Sequence, residues 1–173
     1  MSFPVKPAQP AYPPTLYDGP GEKSATIRRT DSRADLSYSN GGRVDYLATG
    51  DQTGGASGVG FGLYRWTFGE GVSGPGPHFH KTISESFYIL SGTVKIYDGN
   101  DWVDTHAGDF AHVPPGGIHG FKHEEEAPAS MLLMFTPGAP REAYFEGLPK
   151  LAGLNLTDEE KDAFYLAHDN YWL

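Results

Sequence analysis

Turn-forming residues interrupt this chain at short intervals between about residue 24 and residue 138, and that spacing constrains the fold more than any other feature. The 173 residues include 23 glycines and 14 prolines, together with ten tyrosines, ten phenylalanines and three tryptophans. Glycine and proline favour turns, whereas aromatic side chains favour strands. Many short strands joined by tight turns are typical of an antiparallel sandwich or barrel. We therefore predict an all-β fold.

Ten segments that lie between these turns have the composition of strands. Turn sequences such as Asn40-Gly41-Gly42 and Asp98-Gly99-Asn100 separate neighbouring segments. The predicted strands are Ser24–Arg29, Arg43–Ala48, Val59–Phe68, Pro77–His80, Ser86–Ser91, Thr93–Asp98, Trp102–His106, Phe110–Val113, Gly120–His123 and Ser130–Phe135.

The two ends of the chain differ from the strand-rich middle. Residues 1–20 are rich in proline, which predicts an extended arm. We expect the barrel to span residues 21–150 and a helical tail to span residues 151–173. Within these limits, Pro140 to Glu146 followed by Gly147 predicts a short helix, with proline at its start and glycine past its end. Thr157-Asp158-Glu159-Glu160 reads as a capping box that opens a second helix through about Ala167.

Composition excludes several classes of protein. The chain has no cysteine, so disulfides, thiolate catalysis and cysteine-based metal sites are excluded. A net charge of −9 argues against a nucleic-acid partner. No apolar run approaches the ~18 residues of a spanning helix, which argues against a membrane partner. The N-terminal residues lack the apolar core of a secretory signal, so we expect a cytoplasmic protein.

His78 and His80 are the first candidate functional residues. On a strand, residues two apart face the same side, so their imidazoles would converge on one point. Glu85 lies five residues after His80, a spacing that would place it on the opposite face of a straight strand. The chain between them must therefore bend to bring the carboxylate inward. Phe87 and Ile89 then share its inward face, while the residues that alternate with them face outward.

A third histidine, His119, follows a turn in the segment GDFAHVPPGGIH. This segment and HFHKTISESFYILSG resemble the two conserved motifs of the cupin superfamily. The resemblance implies a double-stranded β-helix, a small jelly-roll barrel, with one divalent metal held by His78, His80, Glu85 and His119. Such a ligand set suits iron, manganese, nickel, cobalt, zinc or copper. His123 stands where the second motif often has asparagine. We expect it at the surface, before three glutamates, and the alternative is a position beside the metal ligands.

Residues 45–150 further resemble single-domain bacterial cupins related to quercetin dioxygenases. In those enzymes the flavonol binds through its deprotonated 3-hydroxyl and dioxygen cleaves the ring. Carried over, Glu85 would be both a metal ligand and the catalytic general base. Aromatic residues that could hold a planar substrate are Tyr64, Trp66, Phe87 and Phe121, and the alternative for each is plain core packing.

The cupin fold hosts several reactions, so three functions stay open. The first is a metal-dependent dioxygenase on a small aromatic or enolic substrate, which an aromatic-lined cavity favours. The second is a metal-dependent isomerase or lyase on a polar metabolite, which an inward cation such as Arg65 favours. The third is a non-enzymatic small-molecule binding protein, which a cavity plugged by Met131, Leu133 or Phe135 favours. The expected partners are a small-molecule substrate, dioxygen for the first function, and a second copy in a homodimer.

Overall fold

A computed structural model describes residues 12–54 and 59–173, and it is built mainly of short strands. The all-β prediction is confirmed, because only three helices accompany eleven strands in the described ranges. None of these helices has the length and apolar character needed to cross a membrane. In chain order the elements are β1 Leu36–Ser37, β2 Arg43–Ala48, α1 Gly50–Thr53, β3 Gly62–Thr67, β4 His78–Phe79, β5 Ser84–Ser91, β6 Thr93–Tyr97, β7 Trp102–His106, β8 Phe110–Val113, β9 Gly120–Lys122, β10 Ser130–Thr136, α2 Arg141–Ala152, α3 Asp158–Ala167 and β11 Tyr171–Trp172.

The chain divides into two units, Met1–Thr30 and Asp31–Leu173. The first eleven residues of the predicted arm lie outside the described residues, and residues 12–30 contain neither helix nor strand. The predicted strand Ser24–Arg29 is therefore wrong. A residue has high strand propensity when its side chain fits a pleated, half-buried surface. Such residues form a strand only where a neighbouring strand is available for backbone hydrogen bonding.

The larger unit is a β-sandwich of two main sheets. The first sheet has the strand order β1-β2-β3-β10-β5-β8, and the second has the order β7-β6-β9. Every pairing within them is antiparallel. A two-stranded ribbon of β4 and β11 lies beside them, and His78 of β4 also bridges to His119. The ribbon therefore ties the C-terminus of the chain to the strand that carries the first candidate ligand.

Alternation along β5 sets the direction of its side chains. Phe87 and Ile89 are buried, whereas Tyr88 and Leu90 are exposed, which confirms the predicted inward and outward faces. The inward residues join a single core between the sheets. The buried hydrophobic residues of that core are Val44, Tyr64, Phe68, Ile83, Phe87, Ile89, Val94, Ile96, Phe121, Ala129, Met131, Leu133, Phe135, Tyr144 and Phe145.

Helix α2 runs past the glycine that was predicted to follow its end. It continues through Gly147 and Pro149 to Ala152. A Cβ on Gly147 would lie 2.5 Å from the Phe164 ring, so this glycine provides room for close packing between α2 and α3. Pro149 cannot donate to the carbonyl four residues earlier. The Tyr38 hydroxyl donates to that oxygen, Phe145 O, instead (3.2 Å).

The start of α3 agrees with its prediction. The Thr157 side chain accepts from the backbone N–H of Glu160, and the Glu160 side chain accepts from the backbone N–H of Thr157. This reciprocal capping satisfies two donors that a helix N-terminus otherwise leaves open. The helix ends at Ala167, as predicted, and a short turn then leads into β11.

Candidate metal centre

Four side chains from three parts of the chain meet inside the sandwich. They are His78, His80, Glu85 and His119, each at most 3% exposed. One potential ligand atom from each residue lies within 4.8 Å of the others. A cluster this small and this buried could hold one metal ion.

Local backbone geometry explains why these four side chains converge. His78 and His119 exchange two backbone hydrogen bonds of 2.8 Å, which places their imidazoles side by side. Residues 80–83 leave the strand conformation between β4 and β5, and this break turns Glu85 inward, as its odd spacing required. Next to His119, a Cβ on Gly120 would lie only 2.9 Å from the carbonyl oxygens of Pro75 and Gly76. The absence of a side chain at Gly120 therefore lets its backbone approach the segment that precedes His78.

The three imidazoles are oriented by backbone carbonyl groups. The Nδ1 atoms of His78 and His119 lie 2.9 Å from the carbonyl oxygens of Gly76 and Gly117. The Nδ1 of His80 lies 2.6 Å from the carbonyl oxygen of Asp169. A carbonyl only accepts hydrogen bonds, so each Nδ1 must be the donor. In a neutral imidazole the Nε2 lone pair then faces the cluster, as metal ligation requires.

The carboxylate of Glu85 binds two of these rings through one oxygen. Its Oε2 lies 3.1 Å from His80 Nε2 and 2.9 Å from His119 Nε2. Two lone pairs directed at a carboxylate oxygen repel it unless a proton or a cation lies among them. The donor set therefore fits a divalent cation, which would replace protons held by the metal-free cluster.

The charges of the cluster side chains also favour a divalent cation. Burial would raise the pKa of the Glu85 carboxyl, but hydrogen bonds from His119 and His80 hold that pKa well below its usual range. Burial, reinforced by the neighbouring His119, lowers the pKa of His78 to about 4. Burial opposes protonation of His119 too, yet the hydrogen bond to Glu85 outweighs it and raises the pKa of His119. At neutral pH the cluster thus contains an ionised carboxylate and a neutral His78.

A cavity of about 570 Å³ opens beside the cluster, and His78 and Glu85 form part of its wall. Of the aromatic residues expected to hold a substrate, Trp66 and Phe121 line it, with ring centres 6.0 Å apart. The structure places the other two, Tyr64 and Phe87, in the core with no exposed surface. Most of the remaining wall is also apolar or aromatic, including Leu133, Phe135, Tyr144, Phe145 and Trp172.

The cation in the cavity wall is Arg141, which sequence reasoning did not single out. Arg65 instead pairs with Asp45 through an Nε–Oδ2 contact of 2.7 Å, away from the cavity. Arg141 begins α2 and is 4% exposed. The one sequence signal near it, Pro140 at a helix start, concerns the backbone and carries no information on where the guanidinium lies.

The C-terminal strap, residues 168–172, joins the cavity wall to the candidate metal cluster. Its Asp169 carbonyl orients His80, while the Asp169 carboxylate accepts from the backbone N–H groups of Lys81 and Thr82 at 3.1 and 2.9 Å. Trp172 packs on the His78 ring at 5.1 Å between ring centres. Sequence reasoning missed this role, because Asp169 lies 89 residues after the histidine that it contacts.

His123 is buried, 2% exposed, and the prediction of a surface position is wrong. Its Nδ1 contacts the Thr93 carbonyl at 2.9 Å, and its ring packs on Phe68 at 5.2 Å between ring centres. The glutamates that follow it do reach solvent. The chain turns outward directly after β9, so a neighbouring charge run does not report the burial of His123.

Comparison with known proteins agrees with the fold and the motifs. The family model described as a cupin domain matches residues 64–135. Quercetin 2,3-dioxygenase from Bacillus subtilis is 28% identical over 74 residues, which cover 39% of this chain and 22% of that protein. This chain therefore matches only about a fifth of the length of that curated relative.

Solved structures show the same fold at low sequence identity. KdgF from Halomonas sp. superposes with a TM-score of 0.56 at 12% identity, covering 69% of this chain and 99% of that one. The polyketide cyclase RemF from Streptomyces resistomycificus superposes with a TM-score of 0.52 at 20% identity, covering 68% and 82%. Residues 64–135 thus match a cupin domain, and the sandwich that contains them has the same fold as these solved structures.

Proposed function

We propose that this protein is a metal-dependent dioxygenase that cleaves a small aromatic or enolic substrate of flavonol type. The observation that carries the proposal is the opening of the His/Glu cluster into a cavity lined mostly by aromatic and apolar side chains. A pocket of this volume suits a small organic molecule. The local similarity to quercetin 2,3-dioxygenase supports the same substrate class.

His78, His80, Glu85 and His119 would hold the metal. A bound divalent transition metal supplies Lewis-acid and redox chemistry at the cavity wall. The protein's own part begins with Glu85, whose Oε2 already contacts two imidazoles. Its Oε1 then accepts the proton of an acidic substrate hydroxyl, so Glu85 acts as the general base.

The cavity wall contributes binding and water exclusion. Trp66 and Phe121 meet edge to face, with an interplanar angle of 69°, and present ring surfaces to a planar substrate. Tyr144 and Phe145 of α2 extend the same apolar surface. A substrate held among these rings displaces water from the side of the cluster where Glu85 takes the proton.

Oxygen uptake tests the reaction. The protein is loaded in turn with iron, manganese, nickel and cobalt, and each form is assayed against a panel of flavonols with an oxygen electrode. We expect at least one form to consume oxygen with release of carbon monoxide. The proposal fails if no loaded form consumes oxygen above the metal-free protein with any flavonol.

The base assignment has its own test. Glu85→Gln removes the proton acceptor and should lower kcat about 100-fold or more when metal content is matched to the wild type. Glu125→Gln, which changes an exposed carboxylate, should leave kcat unchanged. Unchanged turnover in a metal-loaded Glu85→Gln variant would show that Glu85 is not the base.

A specific observation favours the isomerase or lyase function as the second candidate. Arg141 places a buried positive charge in the cavity wall, as a polar metabolite would require. The binding-protein function lacks comparable support, because Leu133 and Phe135 line the cavity without filling it. The cytoplasmic location and the homodimer stay predictions.

A further inference from the structure

The cavity contains unpaired polar groups that its apolar wall does not explain. Within residues 12–54 and 59–173, three buried side-chain atoms have no hydrogen-bond partner: Ser73 Oγ, Arg141 Nε and Asn170 Nδ2. All three residues line this one cavity. A buried donor without a partner costs folding free energy, so each such group calls for an explanation. Their concentration around one cavity indicates a ligand with acceptor oxygens.

The hydrogen bonds of Arg141 leave part of its guanidinium group open. Its Nη1 donates to the His168 carbonyl at 2.6 Å and to Asn170 Oδ1 at 3.1 Å, and its Nη2 donates to the same Oδ1 at 3.1 Å. A guanidinium has five N–H donors in a fixed, planar arrangement. These bonds use three donors, which leaves the Nε–H and the adjacent second Nη2–H as a free fork.

A planar anion with two oxygens matches that fork. Paired N–H groups of arginine bind a carboxylate through two parallel hydrogen bonds. Asn170 is itself oriented by Arg141, because its Oδ1 accepts both guanidinium bonds. Its Nδ2 therefore points away from Arg141 and supplies a further donor. Burial raises the pKa of the Tyr144 phenol, and a weak hydrogen bond from the Asn170 side chain opposes that rise, but no acceptor lies in good hydrogen-bonding geometry to Nδ2.

The charges along the cavity wall point to the same ligand. Glu85 is the one carboxylate and Arg141 the one guanidinium or ammonium group among the described wall residues. Burial lowers the pKa of Arg141, but a guanidinium stays protonated in proteins. A divalent ion at the cluster would outweigh the charge of Glu85, so the cavity as a whole would attract an anion.

The position of Arg141 relative to the cluster suits a small substrate that reaches both. The Phe135 ring packs near both, with its centre 4.9 Å from the guanidinium carbon and 6.3 Å from the centre of the His80 ring. The C-terminal strap fixes this separation, since the His168 carbonyl holds Arg141 and the adjacent Asp169 carbonyl holds His80.

We propose that Arg141 and Asn170 form a carboxylate-binding subsite, so that the substrate is an aromatic or enolic acid whose carboxylate lies on Arg141 while its reacting end faces the cluster. This inference rests on the proposed function only in taking the cavity as the substrate site. It narrows the substrate class from uncharged flavonols to compounds that carry a carboxylate.

Benzoate and its uncharged analogue benzamide test the subsite without any turnover. Binding is measured by calorimetry or ligand-observed NMR with the metal-free protein and with the zinc-loaded protein, because zinc performs no redox chemistry. We expect saturable benzoate binding in both forms, at least about tenfold tighter than benzamide binding. Arg141→Gln should abolish this preference, because it lowers the affinity for benzoate far more than the affinity for benzamide.

Matched variants separate the subsite from general effects of charge and folding. Arg43→Gln removes an exposed arginine that does not line the cavity, and it should leave benzoate binding unchanged. Arg141→Lys keeps the charge but loses the fork, so benzoate affinity should still fall. Asn170→Asp keeps the shape but adds a negative charge, so it should weaken benzoate binding even if Arg141→Gln fails to fold.

The result that overturns the inference is equal binding of benzoate and benzamide, or benzoate binding that Arg141→Gln, Arg141→Lys and Asn170→Asp all leave intact. Benzoate binding that requires zinc and ignores Arg141 would show that the metal alone takes the carboxylate, which also overturns it. These outcomes are independent of oxygen uptake. The carboxylate subsite therefore stands if no flavonol is oxidised, and the dioxygenase proposal stands if benzoate fails to bind.

Discussion

The two walls of the cavity differ in how completely their polar groups are paired. In the metal cluster, the Nδ1 atom of every imidazole donates to a backbone carbonyl, and Glu85 contacts two of the rings. In the other wall, Arg141 and Asn170 each keep a buried donor without a partner. The first arrangement directs lone pairs at a cation, whereas the second leaves N–H groups for an anion. If both proposals hold, one cavity binds a metal ion at one wall and the carboxylate of the substrate at the other.

The walls also differ in how the chain builds them. The cluster draws on residues 78–119, where strand alternation, one turn and one backbone bridge bring the ligands together. The other wall joins Arg141 at the start of α2 to Asn170, 29 residues later. The C-terminal strap couples the walls, so changes in the strap should affect metal binding even though the strap supplies no metal ligand.

The largest expected effect comes from removing a ligand. His80→Ala takes away one of two imidazoles that contact Glu85, and we expect zinc affinity to fall more than about 100-fold. Competition with a chromophoric chelator measures the affinity. His106→Ala, which changes an exposed histidine on β7, should bind zinc as the wild type does. Equal affinities in the two variants would contradict the placement of the site.

A smaller effect is expected from the strap. Asp169→Gly removes the carboxylate that accepts from the backbone of Lys81 and Thr82. Asp169 has a φ of 58°, a conformation that glycine adopts readily. Any loss of zinc affinity in the variant is therefore due to the missing carboxylate and not to backbone strain. We expect zinc affinity to fall about 10- to 100-fold, because the Asp169 carbonyl that accepts from His80 Nδ1 remains but is no longer held in place by the carboxylate contacts.

Asp162→Ala is the control for the strap variant, since it removes an exposed carboxylate of α3. It should leave zinc affinity at the wild-type value. If Asp169→Gly also binds zinc like the wild type, the two walls are independent, and the strap does not position the cluster.

The smallest effect is the pH dependence of metal uptake. The hydrogen bond to Glu85 raises the pKa of His119, so the metal-free cluster holds a proton that the metal must displace. Zinc affinity should therefore rise with pH, by at most about tenfold per unit for one proton, and level off above the raised pKa of His119. The depressed pKa of Glu85 adds nothing near neutrality. Affinity that is flat across neutral pH would show that no proton is displaced.

Much of the cluster could be predicted because its information is local. Alternation places His78 and His80 on one face, and the odd spacing of Glu85 requires the break seen between β4 and β5. The same reasoning succeeds for α3, whose cap lies within four consecutive residues. In these cases the residues that determine the geometry are close together in the sequence, whereas His119, 34 residues after Glu85, was assigned from the resemblance to the cupin motifs.

The predictions that were wrong or missing concern features that depend on contacts between distant parts of the chain. The length of α2 depends on Phe164 packing against Gly147 and on the Tyr38 hydroxyl reaching Phe145 O. Both contacts join distant parts of the chain, and neither leaves a local signal. His123 and Arg141 are buried for the same kind of reason. Sequence patterns therefore predicted the four residues that form the candidate metal cluster but not the side chains that complete the cavity.

A cobalt titration tests the central claim most directly. Co²⁺ bound by histidine and carboxylate ligands absorbs visible light, so its binding to the metal-free protein can be followed to saturation. We expect saturation at one Co²⁺ per chain, and loss of that signal when His78 and His119 are both replaced by alanine in a protein that remains folded. No saturable binding to the wild type, or one Co²⁺ still bound by the double variant, would contradict it.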